Sequence, residues 1–169
     1  ESDRGRGARA GDDALGPADA LVTNAAGLPV AVLVADCVPI YLIDPIRRTG
    51  GIVHAGWRGT LDGTASAAVE ALTREWGTQP EDVWALIGPS AGPCCYEVSE
   101  ELAERFRDAG LAADGRLADL WESNTRRLVA AGLRRDRVMV SGLCTLCDGR
   151  FHSHRRDASG ARNVGILVI

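Results

Sequence analysis

PVAVLVADCVPIYLIDPIRRTGGIVHAGWRGT, residues 29–60, decides the fold. Residues 29–36 and 38–44 are near-continuous apolar runs rich in Val, Ile and Leu, the pattern of strands buried on both faces. Asp44-Pro45 punctuates the second run, and residues 50–56, GGIVHAG, make a third that opens into a Gly-flanked turn. From Thr60 the period changes. Ala65, Ala68, Val69, Leu72 and Trp76 recur at helical spacing, with Gly77 as the stop.

The same alternation extends in both directions. Residues 18–24 read as a preceding strand, and residues 83–88, 137–142 and 163–169 as later ones. Ser99 is an N-cap for a helix to Asp108, with Glu100 and Glu101 at its positive end, Arg105 and Arg107 at its negative end, and Gly110 beyond. Leu117, Leu120, Trp121 and Leu128 mark a third amphipathic helix ending near Gly132. Apolar strands between amphipathic helices predict an α/β protein with a covered sheet, in one domain over residues 1–169.

Composition narrows the function classes. The 169 residues carry 19 basic side chains, all Arg, against 23 acidic ones, for a net charge of −4. That balance argues against general nucleic-acid binding, which needs a basic face. No apolar run approaches the roughly 20 residues of a membrane span. Residues 1–17 are polar, without the apolar core of a signal peptide. Five cysteines do not form an even disulfide framework, so a reducing cytoplasm is expected.

Reactive side chains gather at strand ends and turns. Cys37 and His54 each end an apolar strand, 17 residues apart. Three readings stay open on spacing alone. They are a small core thiol with a backbone-bonded turn His, two zinc ligands, or a nucleophile with its base. Arg58, in the turn that leads into a helix, suits a phosphate; the alternative is a packed Trp57 beside a solvated Arg58. Arg155 and Arg156 either add charge to such a pocket or pair with surface acids. Cys144 and Cys147 have half-knuckle spacing, but adjacent Cys94 and Cys95 do not complete a knuckle, so unrelated thiols are expected. His152 and His154 are expected to be structural or pocket-lining.

Taken together, DALVTN (19–24), ADCVPIYLIDP (35–45), VHAGWRGT (53–60), IGPSAGPCCYEV (87–98) and CT with FHSHRRDASGAR (144–162) resemble the laccase-domain family of bacterial proteins. Its members are labelled polyphenol oxidases and regarded as purine nucleoside phosphorylases. The resemblance implies an α/β/α layered sandwich with a mixed sheet, distantly similar to the cysteine-hydrolase domain of deamidating toxins. It implies a zinc site on Cys37 and His54, with copper as the alternative metal. It also implies phosphorolysis of adenosine, inosine, guanosine and methylthioadenosine, with adenosine deamination in the same site. Copper-dependent oxidation of phenols and a cysteine hydrolase using Cys37 and His54 are the competing activities. Arg58 and Arg155 are then expected at phosphate, and Trp57 and Tyr96 at the purine.

The family carries a further ligand His in a QVHG-like segment before its DALVT stretch, whereas the first His here is His54. The expectation is a domain truncated at its N-terminus that holds two of three ligands. Family members often have Gly directly before the last Arg of that final stretch; here Ala161 stands before Arg162. Oligomeric state is not legible in the residues.

Overall fold

A computed structural model describes residues 18–169; the polar opening segment, residues 1–17, lies outside the described residues. In chain order the strands and helices are β1 (Ala20–Thr23), β2 (Val30–Val34), β3 (Val38–Asp44), β4 (Thr49–Ala55), α1 (Trp57–Asp62), α2 (Thr64–Trp76), β5 (Trp84–Ile87), α3 (Glu100–Asp108), β6 (Ala113–Asp114), β7 (Leu117–Ala118), α4 (Leu120–Ala130), β8 (Val138–Val140), α5 (His154–Asp157) and β9 (Asn163–Leu167). The fold is mixed α/β with a mixed sheet.

That sheet runs β1-β4-β3-β5-β8, antiparallel except for the parallel β5–β8 pair. Period-two alternation gives it two different faces. Val38, Ile40, Leu42, Val53, Ala55, Ala85 and Ile87 point one way and are buried. They join Ala65, Ala68, Val69 and Leu72 of α2, Phe106 of α3, and Leu120 and Leu128 of α4 in a single core. The opposite face lies partly under a separate antiparallel ribbon, β2 with β9. Gly165 of β9 lets the ribbon settle, since a Cβ there would stand 2.8 Å from the Tyr41 hydroxyl. Beyond the ribbon, Ile43, Trp84, Leu86 and Met139 are exposed on this face.

Two element boundaries differ from the sequence reading, each for a local reason. The helix expected from Thr60 is two helices, because Gly63 takes φ +78, ends α1 and serves as the N-cap of α2. Leu117, read as the start of a helix, belongs instead to the β6–β7 hairpin around Gly115, and Asp119 caps α4 by accepting the Glu122 N–H. The predicted Ser99 cap is present and accepts the Leu102 N–H at 3.2 Å.

The helix layer braces the turn after β4. Asn124 of α4, fully buried, donates to Thr60 Oγ1 at 2.9 Å. Arg127 donates to the carbonyls of Thr60 and Leu61 at 3.2 and 2.6 Å. The short helix that begins at Trp57 is thereby held against a long one. Among the described residues, no helix is long and apolar enough to cross a membrane.

Candidate functional site

The β3–β4 register brings the two strand-end residues together. Val38 faces Ala55 and Pro39 faces His54. Cys37 precedes Pro39 by two, so alternation puts it on the face that carries His54, on the diagonal where long side chains meet. The Cys37 thiol and the His54 imidazole are close enough to interact. Gly56 permits the approach, since a Cβ there would stand 2.9 Å from Cys37 Sγ.

Asp19, just ahead of β1, orients the imidazole from behind. Its carboxylate lies 3.0 Å from His54 Nδ1, and its carbonyl accepts the His54 backbone N–H at 2.7 Å. The other ring nitrogen is left for Cys37. The contact with Cys37, opposed by burial and reinforced by Asp19, pushes the His54 imidazole up to about 9. A thiol and an imidazole are donors that zinc favours, and a carboxylate behind the ring is the usual outer partner of a metal-bound His. The donor set fits that metal.

Asp36 ties this pair to the rest of the site. It takes φ +81, a left-handed conformation that costs most residues about 1–2 kcal/mol and that Asp tolerates better. Its buried carboxylate accepts the Thr145 hydroxyl and the Arg155 backbone N–H, both at 2.7 Å. Its carbonyl accepts the Ala91 N–H at 2.9 Å. One residue therefore joins the loop before β3, the loop after β5, the turn after β8 and the start of α5.

The remaining expected site residues form two stacked pairs. The Arg58 guanidinium lies 4.2 Å from the Trp57 ring centroid in the first turn of α1 and faces solvent. The Arg155 guanidinium lies 4.9 Å from the Tyr96 ring centroid and donates to the Glu97 carbonyl at 2.9 Å. Tyr96 is buried, which pushes its phenol up while the Arg155 charge works against that shift. Arg156, considered with Arg155 for a pocket, instead pairs with Asp157 at 2.7 Å and donates to the Thr145 and Phe151 carbonyls. His152 and His154 are exposed; the His152 backbone exchanges hydrogen bonds with the Asn163 side chain.

One expectation is overturned. Cys144 and Cys147 are not unrelated thiols: together with Cys94 and Cys95 they place four sulfurs within 4.8 Å of one another. Knuckle spacing misses the cluster because the parallel β5–β8 pairing aligns the two loops, with Ser90 bridging Cys144. Burial opposes the Cys144 thiolate, but the backbone N–H groups of Gly92, Cys147 and Leu146 outweigh it and hold Cys144 down to about 7. Sequence reasoning also missed Asp19 and the joining role of Asp36. Both lay inside the quoted motifs, but their partners are remote in sequence.

Residues 4–169 match the family described as multi-copper polyphenol oxidoreductase laccase. The chain is 38% identical to purine nucleoside phosphorylase YlmD of Bacillus subtilis, covering 93% of this chain and 60% of that protein. It is 37% identical to human purine nucleoside phosphorylase LACC1, over 82% of this chain and 35% of that one. The crystal structure of Bacillus licheniformis hypothetical protein YfiH superposes with a TM-score of 0.82 at 37% identity, covering 89% of this chain and 61% of that one. The chain thus spans about three-fifths of the bacterial relatives it matches.

Proposed function

The chain belongs to the multi-copper polyphenol oxidoreductase laccase family, and from that premise we propose that it carries the catalytic site of a zinc-dependent purine nucleoside phosphorylase. The observation that supports this reading best is the Cys37–His54 contact, with Asp19 on the far ring nitrogen. Cys37 and His54 hold the metal in this account. When bound, zinc supplies Lewis acidity toward a substrate atom.

The chain's own residues account for the rest. In phosphorolysis a phosphate oxygen bonds to ribose C1′ while the C1′–N9 bond breaks, and the purine leaves with a proton. Arg58 faces solvent at the start of α1 and binds phosphate in this account, and its stacking on Trp57 limits the rotamers lost on binding. Arg155, pinned through its backbone by Asp36, adds a second cation. Trp57 and Tyr96 offer planar faces to the base. Substrates on this reading are adenosine, inosine, guanosine and methylthioadenosine, with adenosine deamination as a second reaction. The cytoplasm is the proposed compartment, since all five cysteines are unpaired thiols.

Adenosine and phosphate supplied to the protein should yield adenine and ribose 1-phosphate. His54→Ala and Cys37→Ala should each remove that activity, and phosphate-dependent turnover left intact in either variant would overturn the assignment. A second reading rests on the same contact, with Cys37 as nucleophile and His54 as base. It requires covalent trapping of Cys37 by a thiol-directed acyl reagent in metal-free protein. The copper-oxidase reading follows the family description. The chain has three His, two of them exposed near α5, and multicopper centres draw on more imidazoles than that. Oxygen uptake with phenols in proportion to bound copper would establish it.

A further inference from the structure

We propose that Cys94, Cys95, Cys144 and Cys147 together bind one zinc ion as a closed, structural tetrathiolate site, separate from the Cys37–His54 pair. The sulfurs already have the required spread. Cys95 and Cys94 Sγ lie 3.1 and 3.6 Å from Cys147 Sγ, and all four sulfurs fall within 4.8 Å. A tetrahedral site with Zn–S bonds of about 2.3 Å needs sulfurs about 3.8 Å apart. Small side-chain movements reach it.

Backbone geometry explains how adjacent cysteines serve one ion. The chain turns over residues 93–95, where the Cys95 and Tyr96 N–H groups both donate to the Gly92 carbonyl at 3.0 Å. Facing it, the turn of residues 145–147 follows Cys144, whose carbonyl accepts the Asp148 N–H at 3.0 Å. Ser90 N–H to Leu143 O and Thr145 N–H to Ser90 O, at 3.2 and 3.0 Å, hold the two turns side by side. Gly92 must lack a side chain, since a Cβ there would stand 2.8 Å from the Trp121 ring, and its N–H points at Cys144 Sγ at 3.3 Å.

The donor count fits a closed site. Four thiolates around a divalent ion leave a net charge of −2. The Arg156 guanidinium stands against the second turn, donating to the Thr145 carbonyl at 2.6 Å and the Asp148 carbonyl at 3.3 Å. Four protein donors leave no open position, so the site is structural. The cluster adjoins candidate site residues: Cys95 precedes Tyr96, and Cys144 precedes Thr145, which donates to Asp36. The ion would clasp two loops that carry these residues.

The test uses cobalt as the spectroscopic probe. Cys37→Ala protein, in which the other pair is disabled, should take up one cobalt ion with the intense thiolate-to-metal absorption of tetrahedral sulfur coordination. Cys144→Ser and Cys147→Ser should each lose that spectrum. As a second check on the same variant, zinc should leave Cys37→Ala protein in step with modification of its four remaining thiols by a mercurial reagent. Cys37→Ala protein that holds no zinc as purified and has four freely titrating thiols, or a Cys95–Cys147 disulfide, would overturn the proposal. So would loss of the cobalt spectrum on Cys37→Ala alone.

Discussion

Cys37 and His54 are set by the hydrogen-bond register of two adjacent antiparallel strands, whereas the four-cysteine cluster is set by two turns beyond a parallel pair. The first arrangement has two donors and an orienting carboxylate. The second has four donors and no carboxylate among them. On the proposed assignments, the two thiol regions are separated by donor count and by the group behind each donor. Burial does not separate them, because Cys144 is more buried than Cys37. Asp36 connects the two regions by bonding Thr145 and Arg155 from the residue beside Cys37.

The largest break should come from His54→Ala, which removes a ligand and the base of the competing hydrolase reading. We expect phosphorolysis to fall by more than the roughly 10–100-fold that loss of an outer partner costs, measured as adenine release. Asp36→Ala comes next. It strands the buried Thr145 hydroxyl and the Arg155 N–H, at about 1–3 kcal/mol each, so denaturant unfolding should show about 2–6 kcal/mol of lost stability. An unchanged midpoint would mean that the two regions are not joined through this carboxylate.

Asp19→Asn should have a smaller effect, confined to one region. It weakens the orienting bond to His54 Nδ1 and should lower zinc affinity at that pair by about 10–100-fold, while the cobalt spectrum of the cysteine cluster is unaffected. The mildest effect is one of pH. His54 in the metal-free protein is raised from 6.5 to about 9. The proton's contribution to folding is therefore complete below pH 6.5 and is lost as pH rises through 9. Because metal displaces the ligand proton, zinc affinity at this pair should rise as pH goes from neutrality toward 9. Calorimetry in two buffers of different ionisation enthalpy would report the released proton.

Much of the fold was legible because its buried strands are short apolar runs and α2 shows a clean period of 3.6 from Ala65 to Trp76. Cys37 and His54 were legible as candidates because each ends such a run, and the register then made them neighbours. Asp36 was not legible as a joint, since its partners lie 109 and 119 residues away and its left-handed backbone leaves no mark in composition. The cysteine cluster escaped for a related reason. Adjacent Cys94 and Cys95 have no half-site spacing, and only the alignment of the loops after β5 and β8 brings Cys144 and Cys147 to them. The apolar period carried one helix past Gly63, and only the left-handed conformation of that residue separates two helices.

The central claim is that the two thiol regions differ in role, and one paired assay tests it most directly. Phosphate-dependent adenine release from adenosine should be compared in Cys37→Ala and Cys144→Ser proteins at a temperature where both are folded. The account predicts essentially no turnover for Cys37→Ala and most of the wild-type rate for Cys144→Ser. A Cys37→Ala protein that turns over as fast as Cys144→Ser would contradict it.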